Sequence, residues 1–345
     1  MKAFILSAGQ GTRLRPLTYT VPKPMIPIGN KPVLEYTLEN SKRCGINDVI
    51  INVNENPKMI TDYFGDGSSF AMNIIYSYEK DLLGTAGAVK KMEKYFSGTF
   101  FVLSGDGLTD IDLRKVLNFH KTKKSFATMV LKKIDARFEY GVTVIDRSSR
   151  IKNFLEKPFW SDVFTNTVNT GVYVFEPEIF KFIPKNSFYD FGHQVWPKLL
   201  NRGKRIFGYV TDSYWCDIGN LDEYRKGQWK MLEGSMKVAF HGKKIKSGVW
   251  VDKGTVVEKG AKLKAPCLIG SGCRIGEKSI VGEYTVIGNN TLIGPETIAT
   301  NCIIWDNVLI GKKNILNNSI VGSNVHIKES NFILDGATIT ERSTF

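Results

Sequence analysis

The residues best placed to do chemistry stand within the first 25 positions. Gly9 and Gly11 fall in the segment Ser7-Ala8-Gly9-Gln10-Gly11-Thr12-Arg13, and Lys23 sits between Pro22 and Pro24. Glycines carry no Cβ to hold a ligand off the backbone, so such a loop lets main-chain N–H groups approach an anion. Arg13 and Lys23 add fixed positive charge beside it. An arginine suits phosphate because its planar fork binds two oxygens at once. The flanking prolines fix the local backbone and so aim the lysine. Together these residues make a phosphate site. Its spacing is not the dinucleotide fingerprint, which needs G-x-G-x-x-G, nor the Walker loop, which needs G-K followed by Ser or Thr.

Such a loop needs a strand to lead into it and a sheet to hold it. The apolar run at residues 2–6 alternates too little for an exposed strand and is far too short to cross a membrane. It reads as a buried strand. Residues 49–53, 74–78 and 100–103 are further β-rich runs, and between them the segments 32–44, 57–64 and 84–95 space their apolar residues as helices do. Gly45 follows the first of these as a helix stop. This alternation predicts an α/β architecture of βαβ units, a Rossmann-like and mostly parallel sheet. Ligands bind at the carboxyl ends of such strands. Residues 7–11 and 104–106 lie at two of those ends and are expected to converge on one cleft.

After about residue 245 the pattern changes. Apolar residues recur every six positions at Val251, Val257, Leu263, Ile269, Ile275, Val281, Ile287 and Ile293. Gly270, Gly276, Gly282, Gly288 and Gly294 follow five of them directly. The register slips near Pro295 and resumes as Ile303, Leu309, Ile315, Val321, Ile327, Ile333 and Ile339. A period of six is neither helix nor ordinary hairpin. It resembles the hexapeptide repeat of left-handed parallel β-helices, in which each repeat makes one side of a triangular coil. The expected division is a catalytic domain over 1–235, a linker over 236–248 and a β-helix over 249–345.

The segment from Gly9 to Glu35 resembles the signature of the sugar nucleotidyltransferases, or nucleotide-sugar pyrophosphorylases. With the β-helix added, the chain is most similar to bacterial mannose-1-phosphate guanylyltransferases. The resemblance implies transfer of a nucleotidyl group from a nucleoside triphosphate to a sugar 1-phosphate, releasing pyrophosphate. The attacking phosphate is already nucleophilic, so catalysis rests on positioning and charge stabilisation. Ala8, Gly9, Gly11 and Thr12 would cradle the nucleotide. Arg13 would hold the β- and γ-phosphates, and Lys23 would neutralise the α-phosphate. Leu103-Ser104-Gly105-Asp106 and Tyr214-Trp215-Cys216-Asp217 resemble the two metal motifs, making Asp106 and Asp217 the expected Mg²⁺ ligands. Leu83-Gly84-Thr85-Ala86-Gly87 resembles the second nucleotide loop, with Gly84 and Gly87 close to base or ribose. Glu79 just upstream could accept N–H bonds from guanine. On the sugar side, Gly141, Glu156, Lys157, Asn169 and Gly171 match the contact positions. GTP with mannose 1-phosphate is the leading substrate pair, and glucose 1-phosphate with UTP, dTTP or ATP the alternative.

Bulk properties exclude other classes. The net charge is +13 over 345 residues, but the lysines are scattered and no zinc-finger or RNA-binding motif appears. The charge fits a basic surface around an anionic substrate, with no nucleic-acid partner. Five cysteines without a C-x-x-C indicate neither a disulfide framework nor a zinc site, and fit reduced thiols in the cytoplasm. No run approaches membrane length. Two further classes remain: a regulatory subunit, which would not need intact Arg13, Lys23, Asp106, Lys157 and Asp217, and an acyltransferase using His326, the one histidine of the repeats. The tail is expected to mediate homo-oligomerisation.

Overall fold

A computed structural model describes residues 1–134, 140–159, 163, 165–236, 240 and 242–341. Packing divides the chain into two compact units. One holds Met1–Gln10, Pro22–Pro24 and Val33–Asp217, and the other Gly11–Val21, Met25–Pro32 and Ile218–Phe345. The helix Leu221–Leu232 therefore packs with the β-helix.

The first unit is built on a sheet of nine strands among the described residues. Strand Lys2–Leu6 lies at its centre, with Ala3, Phe4 and Ile5 fully buried, as a strand covered on both faces must be. It pairs in parallel with Asp48–Val53 on one side and Phe100–Ser104 on the other, and Asp48–Val53 pairs in parallel with Asn73–Tyr78. The chain thus leaves the central strand in both directions, which opens a crevice over the carboxyl ends. The helices Val33–Arg43, Pro57–Phe64 and Gly84–Lys91 form the expected crossovers. The first stops at Gly45, whose φ is +81°. The Gly45 N–H donates to the Lys42 carbonyl and the Ile46 N–H to that of Ser41, so the last carbonyls are satisfied.

The other half of the sheet is mixed. Strand Thr167–Phe175 runs antiparallel to Phe100–Ser104 and to Ala127–Lys133, while Ile206–Thr211 rejoins Ala127–Lys133 in parallel. The hairpin of Val142–Ile145 and Ile151–Leu155 forms the edge. Of these pairs, only the hairpin has the short connection typical of antiparallel neighbours; the helix Leu113–Thr122 lies between Phe100–Ser104 and Ala127–Lys133. An aromatic cluster fixes this half: Phe175 stacks on Phe191 at 5.1 Å and on Trp196 at 5.4 Å between ring centroids.

In the second unit, strands of two or three residues stack into parallel sheets forming three faces of a β-helix. Each coil advances 18 residues at first, as in Ile269↔Ile287, then 17 in Ile287↔Ile304 and Ile304↔Val321, then 18 in Val321↔Ile339. The two short coils correct the sequence register. The inward residues after Ile293 are Ala299, Ile304, Ile310 and Leu316, all buried in the apolar core, before Val321 and Ile327 restore the expected positions. Leu309, expected inward, is exposed; Ile303 and Ile315 share strands with Ile304 and Leu316 but take the opposite face. One residue fewer per coil flips each strand's inward position by one. Val257, expected inward, is likewise exposed at the first turn.

One outer face is covered by the helix Leu221–Leu232. Leu232 packs with Leu268 and Val286, Trp305 Nε1–H donates to the Tyr224 hydroxyl at 2.9 Å, and Arg225 donates to the Gly336 carbonyl at 3.0 Å. Part of the expected linker is ordered: strand Lys243–Lys246 pairs antiparallel with Val249–Val251. Residues 237–239 and 241 lie outside the described residues. Cys267, Cys273 and Cys302 are buried inside the coils, and burial pushes their thiols up, with those of Cys267 and Cys302 reaching about 11.

Candidate active site

Asp106 follows the strand Phe100–Ser104 directly, beside the first crevice. The next strand, Gly107–Thr109, pairs antiparallel with Trp215–Asp217 and sets Asp217 opposite Gly107. This short ladder brings two carboxylates that are distant in sequence to one place. Lys23 joins them: its Nζ lies 2.6 Å from Asp106 Oδ2 and 3.4 Å from Asp217 Oδ1. Burial opposes the charge on Lys23, but the two carboxylates outweigh it and hold its pKa above the ordinary value. Burial likewise opposes the Asp106 charge, yet Lys23 and the Ser104 hydroxyl, which donates to Asp106 Oδ1, keep its pKa below the ordinary value.

A cavity of about 240 Å³ adjoins Asp106. Ala8, Gly9, Glu79, Gly84, Thr85 and Asp106, all named from the sequence, line it. A Cβ built on Gly9 would meet nothing within 4 Å, so that backbone faces open space. Ser104, from the expected metal motif, lines it too, as do Asn52 and Asp190, which were not singled out from the sequence. Asn52 ties the end of the first strand to Glu79. Its Oδ1 accepts from the Ser7 N–H at 2.7 Å, and its Nδ2 donates to Glu79 Oε1 at 2.7 Å. Glu79 is buried, and its other oxygen accepts from the Leu83 N–H at 3.0 Å. One lone pair on each oxygen is therefore already used within the chain.

Gly84 and Gly87 also have a packing reason, beside the one expected. A Cβ on Gly84 would come within 2.6 Å of the Tyr189 carbonyl oxygen, and one on Gly87 within 2.6 Å of that of Ser187. The Ala86 and Gly87 N–H groups both donate to Tyr189 O at 2.9 Å. These glycines admit another stretch of backbone, so the first turn of this helix is capped by the chain itself. Thr85 is engaged similarly: its hydroxyl donates to Asp190 Oδ2 and accepts from the Phe191 N–H, each at 2.8 Å.

Of the residues expected to meet the sugar, Glu156 lies in a slot between two glycines. Its Oε2 would be 2.8 Å from a Cβ on Gly141 and 2.5 Å from one on Gly192. Burial raises the Glu156 pKa, and the charge of Asp190 adds to the effect. Asn169 and Gly171 form a bulge in their strand, where pairing with Ala127–Lys133 shifts register. Asn169 donates to the Tyr173 hydroxyl at 2.7 Å, and Gly171, at φ +75°, lies against Ser104. Lys157 is exposed, with φ +44°. None of these five residues lines the 240 Å³ cavity. Gly11, Thr12 and Arg13 group by packing with the second unit, where Arg13 is an exposed residue of the turn Thr12–Leu14, and they are not among the lining residues. Among the described residues no group of three or more His, Cys, Asp or Glu could hold a metal. No helix among the described residues is long and apolar enough to cross a membrane. His326 is exposed on an outer face of the β-helix.

The sequence comparisons agree with this architecture. Residues 2–234 match the nucleotidyl transferase family, and residues 246–344 match the EIF2B subunit epsilon LbH domain. A UTP–glucose-1-phosphate uridylyltransferase of Synechocystis is 38% identical over 269 residues, covering 72% of this chain and 68% of that one. A mannose-1-phosphate guanylyltransferase of Mycobacterium tuberculosis is 35% identical over 67% of this chain and 65% of its own length. A Bacillus anthracis crystal structure, described as a glucose-1-phosphate thymidylyltransferase, superposes with a TM-score of 0.62 at 23% identity, covering 71% of this chain and 98% of that one. The fold, the paired carboxylates and these matches show that the chain belongs to the nucleotidyl transferase family, as a sugar-1-phosphate nucleotidyltransferase with a C-terminal left-handed β-helix.

Proposed function

We propose that this chain joins GTP to mannose 1-phosphate, releasing pyrophosphate and forming GDP-mannose. The observation that carries the nucleotidyl-transfer reading is the gathering of Asp106 and Asp217 around the single ammonium of Lys23. Two carboxylates that already collect one cation, Asp106 of them lining a cavity, suit a hard divalent ion completed by phosphate oxygens. Mg²⁺, bound by Asp106 and Asp217, would neutralise charge on the transferred phosphoryl group. Lys23 would hold the α-phosphate and Arg13 the leaving pyrophosphate. The backbone of Ala8, Gly9, Gly11 and Thr12 would seat the nucleotide, with Glu79, Gly84 and Thr85 on the base and ribose side. Gly141, Glu156, Asn169 and Gly171 would hold the sugar hydroxyls, and Lys157 the sugar phosphate. The catalytic domain would span 1–235, with 236–248 joining it to the β-helix of 249–345.

Guanine is favoured by the buried Glu79 carboxylate in the cavity wall, which retains a lone pair on each oxygen. A second reading, UTP with glucose 1-phosphate, is favoured by the 38% identity to the Synechocystis uridylyltransferase. Incubating the protein with each triphosphate and sugar phosphate, then weighing the products by mass spectrometry, separates them. GDP-mannose as the dominant product supports the first and UDP-glucose the second. Exchanging Glu79 for Gln with no change in base preference would refute the guanine contact.

We also propose a cytoplasmic homo-oligomer assembled through the β-helix. Phe332, 72% exposed on an outer face, supports it. A monomeric mass by sedimentation would contradict it.

A further inference from the structure

We propose that Asp190 is a positioning residue of this site, holding Thr85 on the nucleotide loop in register with Glu156 on the sugar side. The proposal rests on the nucleotidyl-transfer reading for its functional meaning and on geometry for its substance.

Asp190 stands at the start of a π-helical turn, Phe191–Val195, that leads into the helix Trp196–Asn201. One carboxylate oxygen does what an N-cap requires: Oδ1 accepts from the Gly192 N–H at 2.8 Å and the His193 N–H at 3.4 Å. The other does not serve the turn at all. Oδ2 accepts from the Thr85 hydroxyl at 2.8 Å, across the cavity wall that both residues line. The same hydroxyl accepts from the Phe191 N–H, so two bonds join the loop to the turn. Gly192, held by Asp190 Oδ1, in turn has its α-carbon pressed against the Glu156 carboxylate, with no room for a Cβ. Thr85, Asp190, Gly192 and Glu156 thus form a continuous chain of close contacts. The Phe191 ring, stacked on Phe175 and fully buried, stops the turn from moving independently.

Charge follows the same path. Asp190 and Tyr173 face Glu156 with negative or potentially negative groups, Lys157 and His193 with positive or potentially positive ones. Burial and Asp190 prevail, so the Glu156 carboxyl holds its proton to a higher pH than an ordinary glutamate. Binding of a sugar hydroxyl by the carboxylate form therefore weakens as pH falls.

Two measurements on the full chain test this. The first is the pH profile of kcat/KM for the sugar 1-phosphate. Asp190→Asn keeps one acceptor oxygen for the cap, but it removes the charge and puts a donating amide where Oδ2 accepts from Thr85. With the charge gone, the acid limb should move to lower pH. An unmoved limb in a variant that turns over would overturn the charge link. The second is amide hydrogen exchange, which needs no turnover. Thr85→Val should speed exchange at Phe191 and Gly192 by about tenfold or more, and Thr85→Ser should keep the protection. Unchanged exchange in Thr85→Val would overturn the tie. Wild-type protein that makes no nucleotide sugar from any pair would sink the functional reading, while the exchange result still decides whether Asp190 holds the loop.

Discussion

Lys23 Nζ lies 2.6 Å from Asp106 Oδ2, and the lysine side chain is only 10% exposed. A lysine this buried is stable as a cation only because carboxylates surround it. Asp217 supplies the second, from the ladder that sets it opposite Gly107.

Lys23→Met should lower turnover about hundredfold or more, since it removes a preorganised charge at the reacting phosphate. It should also leave Asp106 and Asp217 without the cation they share. Mg²⁺ should then raise the melting temperature of the variant more than that of wild type, because the ion can replace the ammonium. Equal Mg²⁺ shifts in the two proteins, by scanning calorimetry, would argue against a shared metal and lysine site.

The same pair sets a pH window for stability. The Asp106 pKa is lowered on folding, so its contribution is complete above the unfolded value of about 3.9 and is lost as pH falls through the folded value. The Lys23 pKa is raised, so its contribution is complete below about 10.4 and is lost as pH rises through the folded value. The difference in urea midpoint between wild type and Lys23→Met should be flat from about pH 5 to about pH 9 and shrink outside that range at both ends. A difference that varies across neutral pH would contradict the assignment.

Two glycines of the site should separate cleanly. Gly9 has open space where a Cβ would stand. Gly9→Ala should leave the melting temperature unchanged and raise KM for the triphosphate. Gly84 has φ +71° and the Tyr189 carbonyl 2.6 Å from its Cβ position. Gly84→Ala should cost at least about 1–2 kcal/mol for the left-handed backbone alone. Thermal melts and triphosphate KM values of both variants check this; a destabilised Gly9→Ala would mean that the loop is packed against protein.

The β-helix register has its own test. Ile310 is fully buried and Leu309 is 46% exposed. Ile310→Ala should destabilise by about 2–5 kcal/mol and Leu309→Ala by no more than about 0.5 kcal/mol. The sequence register, with Leu309 inward, requires the reverse order in chemical denaturation.

Much of the candidate site was legible because the proposed chemistry demands particular residue types. A glycine loop after a buried strand, Lys23 between prolines, and aspartates at strand ends are local patterns, and the βαβ alternation that holds them is periodic. Asn52 and Asp190 escaped because their roles depend on partners far away in sequence: Asn52 meets Ser7 and Glu79, and Asp190 meets Thr85. An isolated Asn or Asp carries no such signal. The antiparallel half of the sheet lacked the helix-strand rhythm that marked the parallel half. In the tail, the period was plain but the inward position was not. Strands such as Ile303–Ile304 and Leu309–Ile310 carry two apolar residues each, and only the 17-residue coils decide which one points in.

The most direct test is Mg²⁺-dependent pyrophosphate release by wild type, Asp106→Asn and Asp217→Asn. GTP, UTP, dTTP, ATP and CTP would each be paired with mannose, glucose, galactose and glucosamine 1-phosphates. One pair should dominate, with GTP and mannose 1-phosphate first, and both substitutions should abolish its signal while the proteins stay folded. No release from any pair by folded wild-type protein would contradict the account and point to a subunit that binds nucleotide sugars without making them.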